Sequence, residues 1–130
     1  MDRSLMLRLS GFGAFMAVAT IYVIPTSIEP FCWLAIFGVC AVLIARFARG
    51  KPFLHGLGTS LCNCLWVTSA HFLLYDSYAA HHADEIAQSA SLPGGARVAM
   101  LYIGPVIGIV SGVVLGTFAW AASKLVKRAG

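Results

Sequence analysis

A row of polar side chains runs through the apolar segment 53–75. Its members follow one another in steps of four, four, three and four residues, and they are Ser60, Cys64, Thr68, His71 and Tyr75. On a helix this spacing predicts one shared face, with Asn63 beside it. Polar groups in hydrocarbon normally turn toward neighbouring helices. The row therefore predicts either hydrogen bonds that fix the helix register, or a polar path or binding pocket that opens outward with His71 as a titratable gate.

Four side chains that can ligate metals follow shortly afterwards in the sequence: His81, His82, Asp84 and Glu85. Imidazole and carboxylate groups suit zinc or another first-row divalent ion. His81 and Glu85 are four positions apart, which predicts that they meet on one helical face. Adjacent histidines point in different directions, however, and the spacing matches no closed motif. The cluster predicts either a solvated loop surface or a divalent metal site, so the cofactor question stays open.

Patterns typical of enzymes are missing from the sequence. It contains no phosphate-binding glycine loop, no nucleophile elbow and no His-Glu-x-x-His zinc motif. The adjacent carboxylates of Asp84 and Glu85 have no second acid-base pair to face. The sequence therefore predicts a protein that is not an enzyme.

The composition is that of an integral membrane protein. Apolar residues make up 59% of the chain, charged residues only 11%, and the mean hydropathy is +0.84. The 130 residues have room for four spans of about 20 residues each. We expect one all-α domain, 1–130, folded as a four-helix bundle of antiparallel hairpins. Its predicted spans are 5–24, 30–47, 53–75 and 98–122, and residues 76–97 form the outer loop.

The basic residues predict the orientation of these spans. An N-terminus in the cytoplasm puts only Arg97 outside, and it puts eight basic residues inside: Arg3, Arg8, Arg46, Arg49, Lys51, Lys124, Lys127 and Arg128. That asymmetry agrees with the positive-inside rule. The expected location is a bacterial-type inner membrane with both termini cytoplasmic. The net charge of +4 thus reflects basic residues on the cytoplasmic side of the lipid bilayer, and no nucleic-acid partner is expected.

The first span has a second interpretation. Residues 1–19 have a basic start, an apolar middle and a small-x-small ending, as a cleavable signal peptide does. Apolar residues nevertheless continue through Ile24, and Ser10, Gly11 and Gly13 dilute the middle. We therefore expect an uncleaved span.

The fourth span contains a glycine every fourth residue: Gly104, Gly108, Gly112 and Gly116. A step of four residues keeps them on one slowly drifting stripe, where a second helix can approach closely. This glycine zipper joins span four either to another span or to a second copy of the chain. Trp66, at mid-depth in span three, is expected to need a hydrogen-bond acceptor inside the bundle.

Two functions follow from these patterns. The small-residue stripe predicts a non-enzymatic membrane protein that acts by helix packing, either as a homo-oligomer or as an accessory subunit of a transport or envelope complex. The alternative is a small transporter, channel or metal-handling protein that uses the polar face around His71 and the cluster from His81 to Glu85. The expected partners are lipid and either itself or another membrane protein.

Overall fold

The chain is all-helical in the computed structural model, which describes residues 1–127. Over these residues it has no strands and is 83% helix. The helices are α1 (Arg3–Leu9), α2 (Gly11–Tyr22), α3 (Glu29–Phe47), α4 (Pro52–Leu73), α5 (Tyr75–His81), α6 (Ala83–Ser89) and α7 (Gly95–Leu125). Arg128, one of the basic residues used to predict the orientation, lies outside the described residues.

Three helical segments of the described chain are long and apolar enough to cross a membrane: Arg3–Tyr22, which joins α1 and α2, then Glu29–Phe47 and Gly95–Leu125. Helix α4 passes the same test only together with α5, from which it is bent by 90°. Several apolar helices thus identify a membrane protein. The number of spans is three, or four if the bent pair counts as one span.

Helix α4 lies at the centre and contacts α1, α2, α3, α5 and α7. Its central position explains why it is less apolar than the others. Most of its buried residues are polar or small, and they face neighbouring helices instead of the surroundings. One of them, His55, accepts a hydrogen bond at Nε2 from the backbone N–H of Asp2, at 2.8 Å. Its Nδ1 donates to the carbonyl oxygen of Lys51, at 3.0 Å, so this imidazole ties the start of α1 to α4.

The glycines of α7 face α4, and the two helices run antiparallel. A methyl group built on Gly108 would lie 2.7 Å from Cβ of Cys64, and one on Gly56 would lie 2.6 Å from Cα of Gly116. Methyl groups on Gly104 and Gly112 would strike Thr68 and Leu57. The missing side chains therefore let the two backbones come together. We call this contact the α4–α7 seam.

Two polar side chains of the row in α4 add hydrogen bonds to this seam. The hydroxyl of Ser60 donates to the carbonyl oxygen of Gly108, at 3.1 Å, and the thiol of Cys64 donates to that of Gly104, at 3.0 Å. The predicted polar row and the predicted glycine stripe thus meet each other. Carbonyl oxygens on a helix are accessible to a donor where no side chain shields them, which is why the glycines suit this role.

Several predicted boundaries shift. The third span was expected to continue to residue 75, but α4 ends at Leu73 and the chain turns by 90° into α5. Tyr75 therefore begins α5, and its predicted place on the polar face of α4 is wrong. The predicted loop 76–97 is mostly helical, since it holds the rest of α5, all of α6 and the start of α7.

The prediction for Trp66 is confirmed. Its indole N–H donates to the hydroxyl oxygen of Ser10, at 3.2 Å, across the α2–α4 interface. Ser10 is also the residue at which α1 gives way to α2.

Candidate ligand groove and its polar cap

Helices α5 and α6 close one end of the molecule, and His82, between them, is buried at 3% exposure. We call this the cap end, and the end with Asp2 and Lys51 the terminal end. Because a carbonyl oxygen only accepts, Nε2 of His82 carries a hydrogen and donates to the carbonyl oxygen of Thr20, at 2.6 Å. Its Nδ1 lies 2.8 Å from Oγ1 of Thr26 and 3.4 Å from Oε1 of Glu85. This histidine joins the α5–α6 corner to α2 and to the α2–α3 turn.

The hydroxyl of Thr26 connects the two side chains of the cap. Both oxygens of the Glu85 carboxylate accept, one from the hydroxyl of Thr26 and the other from that of Tyr78, each at 2.5 Å. The oxygen of Thr26 also lies 2.8 Å from Nδ1 of His82. Glu85, Thr26, Tyr78 and His82 therefore form one connected polar cluster.

The pKa of Glu85 reflects this arrangement. Burial alone disfavours the charged carboxylate. The hydrogen bonds from Thr26 and Tyr78, together with the charge of His82, outweigh burial and hold the pKa of Glu85 below its ordinary value. The carboxylate is thus stabilised in its ionised form.

Three rings connect the cap with α4. The ring of Tyr78 stacks between His71, at 4.2 Å between centroids, and His82, at 4.3 Å. The hydroxyl of Thr20 donates to the carbonyl oxygen of Met16, at 2.7 Å, so its oxygen accepts from Nε2 of His71, at 2.9 Å. Side-chain and backbone contacts therefore connect Glu85 to His71, near the cap end of α4.

Below the cap lies a cavity of about 560 Å³ between α3, α4 and α7. It follows α7 from Ala96 to Val114, which is about 27 Å at a rise of about 1.5 Å per residue. Leu34 and Ile107 line it although each is 58% exposed, so it opens on the flank of the molecule. We call it the groove. Its volume lies within the range of small-molecule sites, about 300 to 1,000 Å³.

The groove is mostly apolar but includes one unusual polar side chain. Asn63 is 3% exposed, and neither its Oδ1 nor its Nδ2 has a hydrogen-bond partner among the described residues. Its side chain also touches Gly13 of α2, where an added methyl group would lie 2.5 Å from Oδ1. A buried amide without partners is costly, about 1 to 3 kcal/mol per group. This amide is therefore the strongest indication of a molecule in the groove.

The structure divides the predicted polar row. Ser60, Cys64 and Thr68 line the groove but also lie against the glycines of α7. His71 lines the groove and bonds Thr20, as described above. Tyr75 does not line it; its ring lies near the guanidinium of Arg97.

The predicted metal cluster is divided as well. The sequence predicted that His81 and Glu85 share a helical face. They do not, because the helix breaks at His82. His81 is exposed and bonds the carbonyl oxygen of Ser77, and Asp84 is exposed too. Only His82 and Glu85 meet. Within residues 1–127, no three His, Cys, Asp or Glu side chains are grouped so that they could hold a metal ion.

Sequence reasoning missed several residues of the cap and groove: Thr20, Thr26, Glu29, Trp33 and Tyr78. One signal was present, since Glu29 and Trp33 are four apart at the start of α3, and the indole N–H donates to Oε1 of Glu29 at 3.1 Å. Tyr78 and His82 are also four apart. Thr26 lies in a turn between helices, and no spacing rule pointed to it.

The chain was also compared with known proteins. It matches no protein-family model, no curated protein and no solved structure. Its function therefore has to be argued from the groove and the cap.

Proposed function

We propose that this protein is a non-enzymatic, four-span membrane protein whose groove binds a small, mostly apolar molecule. The spans are α1 with α2, then α3, α4 and α7, arranged as a four-helix bundle with a glycine zipper on α7. Both termini lie in the cytoplasm of a bacterial-type inner membrane. The support for this orientation is the distribution of Lys and Arg among the described residues, because one of them, Arg97, is near the cap end and seven are near the terminal end.

One observation carries the binding function: the unpaired amide of Asn63 in an apolar groove of about 560 Å³. A groove that served only as a packing defect would be expected to be lined by apolar residues throughout. The glycine stripe favours the same conclusion, since it is already used against α4 in the same chain. Of the two predicted functions, these observations favour the alternative, a small transporter, channel or metal-handling protein, and within it we propose the binding of a small molecule in the groove.

A groove-filling variant tests this function. The protein would be released from its own membrane in lipid nanodiscs and analysed by native mass spectrometry. We expect a bound small molecule on the wild type and its loss from Ile103→Trp, which narrows the groove. Leu65→Trp is the matched control, because Leu65 is 68% exposed and lies away from the groove. Identical spectra for all three proteins would contradict the proposal.

Assembly with another chain is the second candidate function. The observation that favours it is a small-residue surface on α3, where Ala35 is exposed and a methyl group on Gly38 would meet no atom within 4 Å. Such a surface lets another helix approach. Gly38→Leu should then lower the oligomer mass in detergent without changing the melting temperature, whereas an unchanged mass would argue against it.

A further inference from the structure

Among the described residues, the groove is lined by two carboxylates, those of Glu29 and Glu85, and by no Lys or Arg. Its one imidazole, that of His71, is bonded to the hydroxyl of Thr20. Glu85 already has His82 at 3.4 Å and uses both oxygens within the cap. Arg97, the nearby basic residue, lies over the ring of Phe72, at 4.8 Å, and donates to its backbone oxygen. Glu29 is therefore the carboxylate of the groove that is not already used within the cap.

Glu29 has capacity for a ligand. Its Oε1 accepts from the indole of Trp33, whereas its Oε2 accepts no hydrogen bond within residues 1–127. No Lys, Arg or His among those residues lies within ion-pair distance of its carboxylate. The ring of Trp33 lines the groove as well, whereas the ring of Tyr78 is stacked between His71 and His82. Carboxylates and aromatic faces both attract an ammonium group, and they do so most strongly where water is scarce.

Asn63 supplies an independent second point. Its amide is buried and unpaired, and it lines the groove eight residues before His71 on α4. Eight residues correspond to about 12 Å along the helix. A molecule that reached both Glu29 and Asn63 would need a cationic end and, further along its length, a group with a donor and an acceptor.

We infer that the groove binds an elongated organic cation. Its ammonium end is held by Glu29 and Trp33, its apolar body lies along Ile103 and Ile107, and an amide or hydroxyl group pairs with Asn63. The inference rests on the proposed function, since it names the class of molecule that the groove takes. An anionic amphiphile does not fit, because Glu29 would repel it.

Four amphiphiles, each with a chain of eleven carbon atoms, test the Glu29 end and the Asn63 amide separately. Aminoundecanamide carries an amine and an amide at opposite ends, undecylamine carries the amine alone, undecanamide the amide alone, and undecanoate a carboxylate. Binding to the protein in phosphatidylcholine nanodiscs is followed by the emission of Trp33 in a Trp66→Phe, Trp120→Phe background. Trp66 and Trp120 do not line the groove. Aminoundecanamide should bind about tenfold more tightly than either single-group compound, and undecanoate most weakly.

Variants assign each end of the probe. Glu29→Gln should weaken the two amine compounds about tenfold and leave undecanamide unchanged. Asn63→Leu should weaken the two amide compounds and leave undecylamine unchanged. Asp84→Asn is the control, because it removes an exposed carboxylate that does not line the groove. It should change none of the four affinities.

The outcomes separate the inference from the proposed function. Binding of all four compounds with equal affinity, or affinities that Glu29→Gln does not change, would overturn the organic-cation inference and leave a binding groove. No binding of any compound would overturn both. If Asn63→Leu does not fold, the affinities of the four compounds for the protein with its groove residues intact still decide the question.

Discussion

Helix α4 meets α7 and α3 in different ways. Against α7 it presents Gly56 and the small polar side chains of Ser60 and Cys64, and the two backbones come close enough to share hydrogen bonds. Against α3 it leaves a groove, into which Asn63 brings an amide without a partner. The comparison teaches that polar groups inside a helix bundle pair across the interface where bare carbonyl oxygens are within reach, and stay unpaired where none are; the proposed binding site rests on the second case.

A bulky residue in the α4–α7 seam should have the largest effect. Gly108→Leu places a side chain where Cβ of Cys64 lies only 2.7 Å from the first added carbon, so the helices must separate. We expect a loss of about 3 kcal/mol in the free energy of unfolding, measured by circular dichroism in detergent. Val110→Leu, on the neighbouring exposed face of α7, should change little, since Val110 is 61% exposed.

The same pair of variants breaks the comparison if the seam lies elsewhere. A Gly108→Leu protein that keeps the stability of the wild type but loses an oligomer would mean that the glycine stripe joins two chains. The α4–α7 contact would then not be what closes one side of the groove. The contrast between the two faces of α4 would no longer hold.

The cap comes next in expected size. His82→Ala removes a buried ring that bonds the carbonyl oxygen of Thr20, contacts Thr26 and Glu85, and stacks on Tyr78. We expect a loss of about 2 kcal/mol, because buried partners are left unpaired. His81→Ala is the matched control, since the adjacent His81 is exposed and bonds only the carbonyl oxygen of Ser77. Thermal melting of the two variants side by side checks this, and equal losses would contradict the role of His82.

The difference between these two histidines also shows what the sequence can and cannot predict. Hydropathy and the spacing of four glycines and four polar residues predict helices and their faces, because these patterns depend only on helix geometry. They do not predict the bend at Leu74 or the break at His82, where the His82 ring bonds the carbonyl oxygen of Thr20 and contacts Thr26. His82 was therefore grouped with His81 as a metal ligand, although only tertiary contacts decide which of them is buried. Asn63 was recognised as polar, but that its amide is buried without a partner depends on how α4 packs against its neighbours, Gly13 of α2 among them.

The smallest expected effect concerns pH and sharpens the account of the cap. Since the folded-state pKa of Glu85 is below its ordinary value of 4.5, the unfolded chain binds its proton more readily than the folded protein does. The carboxylate therefore contributes its full stability above about pH 4.5, and this contribution is lost as the pH falls through the lower folded-state value. Because the side chain is 35% exposed, water screens the interaction, and we expect less than about 1 kcal/mol. The free energy of unfolding, measured from about pH 3 to 6, should show this fall in the wild type and in the control Asp84→Asn. Glu85→Gln should give a flatter profile. Equal profiles for Glu85→Gln and the wild type would mean that Thr26, Tyr78 and His82 do not favour the ionised carboxylate.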